Sequence, residues 1–242
     1  MQNVFLTIII LLFTITPSAK VNKYKPVTVL ELFTSQGCSS CPPADNLLDK
    51  VKKEHAGQVI VLSYHVDYWN YIGWKDPFSK KAFSDKQRRY GQKFYSSSIY
   101  TPQIVINGKE HFVGSKTSVM NTKLRQYANK YAENEIQLNG VKKEAGSVKF
   151  NYGINGNIKH KRLKVALVID SKKTHVKRGE NSNRVLLNSN IVVEEVFVEL
   201  NQTAGEVVIK IPEIVERDDK LSIVALVENK RLDIVGGSQI YL

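Results

Sequence analysis

Apolar and polar positions follow two different rhythms along this chain. In the first half, short apolar runs alternate with helically spaced segments. Val27 to Phe33 alternates and is rich in β-formers, which predicts a strand behind Pro26. Ala44, Leu47, Leu48 and Val51 recur at three- to four-residue spacing, so 42–55 reads as an amphipathic helix with Asp45 and Lys52 off its apolar face. Pro42 and Pro43 stand at its start, where a missing N–H costs least, and Gly57 stops it. Val59 to Val66 opens as a continuous apolar run, suited to a strand covered on both faces. Residues 67–98 break the pattern with Tyr68, Trp69, Tyr71, Trp74 and Phe78, then a basic helical stretch, 80–94. This segment is expected to be a helical, aromatic insertion. Thr101-Pro102 opens another strand, Asn107-Gly108 turns it into a short return strand, and 115–134 reads as a helix.

From Glu135 onward no helical spacing is evident. Strand-like segments recur at 136–144, 147–154, 163–170, 190–200, 206–211, 221–229 and 231–242. Asn139-Gly140, Asn155-Gly156 and Gly236-Gly237 supply turns. Short strands with this punctuation suggest a β-sandwich. The polar, basic stretch 171–183 reads as an exposed loop. The order β-α-β-insert-β-β-α over 26–134 is that of the thioredoxin architecture. The expected fold is therefore an α/β thioredoxin-like domain, 26–134, followed by an all-β, sandwich-like domain, 135–242.

Met1 to Ala19 is separate in character. Val4 to Ile15 is apolar, too short for a comfortable membrane span, and ends in Thr16-Pro17-Ser18-Ala19. Residues 1–19 are read as a signal peptide, with an uncleaved anchor as the rival, so the protein is expected to be exported, periplasmic or secreted. No later stretch approaches a transmembrane length. With 42% hydrophobic and 24% charged residues, a packed globular chain is expected. The net charge of +12 is spread over both halves without a nucleic-acid motif, which reads as a solvated basic surface and argues against a nucleic-acid partner.

The candidate chemistry lies in Cys38-Ser39-Ser40-Cys41, which holds both cysteines of the chain between the first strand and the first helix. In an oxidising compartment the pair rests as a disulfide. So short a loop stabilises little by chain entropy. A helix N-terminus, in contrast, lowers a thiol pKa. Cys38 is the candidate attacking thiol and Cys41 the resolving one. Glu31 is the charged residue of the first strand, alternating onto one face with Val27, Val29 and Phe33. It is a candidate acceptor for the Cys41 proton; the plainer reading is a strand-end glutamate reaching solvent. His65, with Cys38 and Cys41, makes a weak copper or zinc ligand set. No nucleophile elbow, phosphate loop or paired-carboxylate motif is present, and no cofactor is expected.

The stretch Leu30 to Asp45, with Ser63 to Asn70 and Tyr100 to Gln103, resembles a family of exported bacterial thioredoxin-like proteins of unknown function. The resemblance reaches Val176 to Asn181 and Ile234 to Gly237. It implies a thioredoxin-like domain with a C-terminal extension. It also implies a cis Thr101–Pro102 bond facing the cysteines and leaving a backbone edge for a substrate. The leading expectation is a thiol–disulfide oxidoreductase acting on a protein thiol or disulfide partner. The alternative is a binding module, either a metallochaperone or a protein-interaction domain with an inert disulfide.

Overall fold

The computed structural model describes residues 24–242, so the expected signal segment, 1–19, lies outside the described residues. Its first half runs β1 (Thr28–Thr34), α1 (Pro42–Glu54), β2 (Val59–His65), α2 (Lys81–Lys93), β3 (Gln103–Ile106), β4 (Glu110–Val113) and α3 (Thr117–Tyr127). Seven strands follow: β5 (Glu135–Glu144), β6 (Ser147–Asn155), β7 (Lys161–Val176), β8 (Arg184–Glu199), β9 (Ala204–Lys210), β10 (Leu221–Asn229) and β11 (Ile234–Tyr241). No helix among the described residues is long and apolar enough to cross a membrane.

β1 pairs in parallel with β2, Thr28 opposite Val59 and Thr34 opposite His65, and antiparallel with β3. Alternation along β1 sorts the side chains between two layers. Leu30 and Leu32 pack with Ala44, Leu48 and Val51 of α1 and with Met120 and Leu124 of α3. Val29 and Phe33 face the other way, towards Phe83 and Tyr90 of α2. The insertion thus covers the face that α1 and α3 leave open.

The C-terminal half does not stand apart, contrary to the expected separate sandwich. One eight-stranded mixed sheet runs β11-β10-β7-β8-β2-β1-β3-β4, and a second, antiparallel sheet runs β5-β6-β9. The smaller sheet packs Val148, Phe150 and Ile209 against Leu163, Val165, Ile191 and Ile223 of the larger. There are two packed sheets, but one of them belongs to both halves. The physical reason is the edge of β2. Its apolar backbone edge would otherwise go unpaired, and β8 takes it in a short parallel contact at Ser63 and Ile191. Ser63 Oγ donates to the Ser189 carbonyl beside it, 2.8 Å.

Of the stretch 171–183, expected to be an exposed loop, 177–183 is a loop, but 171–176 is the outer part of a long hairpin. β7 and β8 stay paired from Arg162/Glu199 to Val176/Arg184. A polar stretch can pair this way because the outer arm is solvated on much of its surface. Its residues alternate between exposed and half-covered without an apolar stripe.

The hairpin's inner part answers a charge problem. Glu31 lies at 0% exposure in β1, and Lys164 of β7, also at 0%, meets its Oε1 at 2.8 Å. Lys86 of α2 reaches the same oxygen at 2.9 Å and Glu195 of β8 at 2.8 Å. Tyr90 donates its hydroxyl to Glu31 Oε2. Glu228, paired with Arg162 at 2.6 Å, closes the cluster beside Lys164. Burial alone would raise the Glu31 carboxyl pKa, but Lys164 and Lys86 hold it far below the usual carboxylate range. Removing one partner of such a set strands a buried charge. Lys164→Met is expected to cost about 3 kcal/mol in unfolding free energy, measured by urea denaturation at neutral pH.

Candidate functional site

Cys38 and Cys41 form a disulfide, with their Cα atoms 5.5 Å apart. A tight turn sets this up: Cys38 N–H donates to Ser35 O at 3.1 Å, and Cys41 N–H to Cys38 O at 3.2 Å. Cys41 is the N-cap of α1, and Pro42 and Pro43 follow as its first residues. The next free amides, of Ala44 and Asp45, both donate to Cys41 O. The helix start therefore lies against the sulfurs, as the strand–turn–helix pattern implies. Ser40 Oγ stands 3.3 Å from Cys38 Sγ and 3.5 Å from Thr101 O, so the loop before β3 reaches the pair. The Thr101–Pro102 bond is cis. Trp69 of the insertion donates its indole N–H to Thr101 Oγ1 at 2.8 Å, fixing that loop from behind.

Both cysteines are 0% exposed. The cover is the tip of the β7–β8 hairpin. Asn181, itself buried, donates its amide to Gln36 O and to Cys38 O, each at 3.0 Å. Glu180 accepts from Ser39 N–H at 2.9 Å, and that bond holds its carboxyl below the ordinary value. Gly179, at φ +76°, packs its backbone beside Trp74, where a Cβ would come within 3.3 Å of the Trp74 Cβ. Gln36 ties the cysteine turn to the arm's flank, donating to Thr174 Oγ1 and Asn188 Oδ1 at 3.0 Å each and accepting from Trp74 at 3.1 Å.

Glu31 is not beneath the cysteines. It lies on the α2 face of β1, inside the ion cluster, whereas α1 and its cysteines pack on the opposite face. The carboxylate on the cysteine side is Asp45, which helical spacing had set apart from the apolar face. It is buried, because that side of α1 meets polar side chains of the strands as well as apolar ones. Thr34, at the end of β1, donates to Asp45 Oδ2 at 3.2 Å, while Oδ1 has no hydrogen-bond partner among the described residues. Burial pushes Asp45 up to about 7, against the pull of His65 and of the polar side chains of Thr34 and Asn188.

His65 ends β2 on the same face and is fully buried. Its Nδ1 donates to Asp76 Oδ2 at 2.7 Å, and its Nε2 lacks a hydrogen-bond partner among the described residues. Burial works against its protonation, yet Asp76 and then Asp45 outweigh it and raise the pKa above 6.5. Asp76 also accepts from Gln36 N–H at 2.8 Å, so the polar floor and the cysteine turn share a residue. The weak metal set does not assemble here: the cysteines bond to each other and His65 is oriented by Asp76. No group of three His, Cys, Asp or Glu among the described residues is placed to hold an ion.

The contacts of Asn181, Gln36 and Asp76 were not legible from spacing. Asp45 and Asn181 do lie inside stretches that carry the family resemblance, 30–45 and 176–181, and that was the available signal. The Asp45 shift has a defined sign. Its folded pKa is above the ordinary 3.8, so its contribution is fully present below about pH 4 and is lost as pH rises to about 7. Asp45→Asn removes this dependence. Unfolding curves should show the variant gaining on the wild type by about 2–4 kcal/mol between pH 4 and pH 8.

Comparison with known proteins places the chain without assigning an activity. No curated protein matches it. A crystal structure of an Agrobacterium tumefaciens protein superposes with a TM-score of 0.68 at 28% identity, over 90% of this chain and 96% of that one. A DUF3823 family protein from Bacteroides ovatus (15% identity, 44% of this chain and 54% of that one, TM-score 0.29) superposes far less well. So does a domain of the outer membrane lipoprotein Omp28 from Porphyromonas gingivalis (13% identity, 45% and 94%, TM-score 0.25). The profile of a family described as "protein of unknown function (DUF1223)" matches residues 29–228, most of the sequence, and the chain belongs to that family.

Proposed function

We propose that this protein is an exported, thioredoxin-like thiol–disulfide oxidoreductase whose Cys38–Cys41 pair rests oxidised beneath a polar cover. The observation that carries the reading is the seat of the disulfide, at the N-terminus of α1, where the positive end of the helix dipole favours a thiolate. The frame agrees with it. The strand order β2-β1-β3-β4, with α1 and α3 on one face and α2 on the other, supports a thioredoxin-like module. Residues 26–134 form that module in this reading, and the strands after it brace it and supply the cover. The apolar leader and a resting disulfide support export. The partner is a protein thiol or disulfide that reaches Cys38 once the hairpin tip lifts. Cys38 forms the mixed disulfide, Cys41 resolves it, and the Thr101–Pro102 loop flanks the substrate.

A second reading has its own observation. Both sulfurs are shut off from solvent, which suits an inert disulfide in a protein-interaction domain. Two measurements separate the readings. Cys38→Ser should abolish insulin reduction by the dithiothreitol-driven protein, and activity equal to wild type would end the oxidoreductase reading. Asn181→Ala removes two hydrogen bonds that hold the cover, worth about 1 kcal/mol each. It should speed reduction of the native disulfide by dithiothreitol about 5- to 30-fold. A rate that tracks global unfolding in both proteins would favour the inert disulfide.

A further inference from the structure

We propose that Asp45, rather than Glu31, exchanges the proton with Cys41 during thiol–disulfide exchange, and that the proton reaches solvent through the cavity between α1 and the β8 arm. This inference rests on the oxidoreductase reading. Asp45 follows Cys41 by four positions, the spacing that stacks two side chains on one face of a helix. Thr34 holds one carboxylate oxygen, and the other is buried with no hydrogen-bond partner among the described residues. A buried acid with a free oxygen one turn from a buried thiol is placed to pass it a proton. Glu31 has neither property, since both its oxygens are bonded to Lys164, Lys86 and Tyr90 on the far side of β1.

The route outward is also present. A cavity of about 160 Å³ is lined by Pro42, Asp45 and Asn46 of α1 and by Arg184, Leu186 and Asn188 on the arm. Asp45 forms part of its inner wall, and Arg184, exposed, stands on the arm side. The other ionisable groups facing Asp45 are His65 from β2 and Asp76 from the insertion, one favouring its ionised form and the other opposing it. Asp49, the next acid on α1, is engaged by Lys53 at 2.6 Å and points to the surface.

The step balances with a dithiol as co-reactant. A substrate thiolate attacks Cys38 Sγ, the Cys38–Cys41 bond breaks, and Cys41 leaves as a thiolate that takes the proton of the Asp45 carboxylic acid. The substrate's second thiolate then attacks the sulfur joined to Cys38, and Cys38 leaves as a thiolate. The substrate loses two electrons and becomes a disulfide, and the cysteine pair gains them. In the reverse direction the Asp45 carboxylate accepts the Cys41 proton.

The test is stopped-flow reduction of the oxidised protein by dithiothreitol from pH 5 to 9, with the rate divided by the reagent's thiolate fraction. It is run in the Asn181→Ala background so that cover opening does not limit it. The corrected rate should fall as pH passes about 7, where Asp45 loses its proton. Adding Asp45→Asn should lower the rate at pH 6 by about 100-fold and flatten the profile. The same pH profile with and without Asp45 overturns the proposal and leaves the oxidoreductase reading standing. A native disulfide that is not reduced at any pH overturns both. If Asp45→Asn does not fold, carboxyl-carbon NMR of the otherwise unaltered protein decides: the Asp45 midpoint should change when the pair is reduced, and an unchanged midpoint overturns the assignment.

Discussion

A carboxylate in the middle of a buried strand must be met by cations, and Glu31 is met by a lysine from the other half of the chain. Burial of Glu31 alone would force its protonation. Lys164 on β7 and Lys86 on α2 prevent that, and Glu195 on β8 in turn holds Lys86. This fixes the β7–β8 hairpin against the first half at one level of the sheet. The same two strands, still paired, then run on to the cysteines. The hairpin acts as one beam, with its inner part neutralising a charge and its tip covering the cysteine pair. The contact at Ser63 and Ile191 sets where the beam crosses β2.

That arrangement divides the buried polar groups into two sets on opposite faces of β1. The α2 face holds a closed ion cluster in which each acid has a cation. The α1 face holds Asp45, His65 and Asp76, in which two polar atoms remain without hydrogen-bond partners among the described residues. A closed set resists change in protonation, and an open one invites it. The contrast is what separates a scaffold carboxylate from one suited to proton transfer, although both lie in or beside the same strand.

Much of the local structure was legible in the sequence. The Pro-Pro start and the spacing of Ala44, Leu48 and Val51 fixed α1 closely, and the alternating runs after Glu135 marked all seven later strands. Pairing across the halves was not legible, because no local pattern says which edge β8 will choose. Residues 171–176 were misread for a related reason: Lys172 and Thr174 are polar positions that look like a loop, yet the backbone there pairs with the opposite strand and Thr174 accepts from Gln36 of the cysteine turn. Glu31 was correctly singled out as unusual. Its face follows from alternation, but the identity of what covers that face depends on the insertion and on β7. Asp45 was assigned to the solvent side because helical spacing records where apolar residues gather, and a polar floor leaves no such mark.

The cover over the cysteines has a further consequence. Its tip, 177–183, is made of polar and charged residues, and Glu180 and Asn181 hold it to the cysteine turn through hydrogen bonds. Lifting such a cover exchanges protein hydrogen bonds for water hydrogen bonds and uncovers little oily surface. The heat capacity of the opening should therefore be small, since that quantity follows apolar exposure. A greasy lid would loosen in the cold and tighten on warming, whereas this one should keep nearly the same balance of shut and open forms over a wide range of temperature.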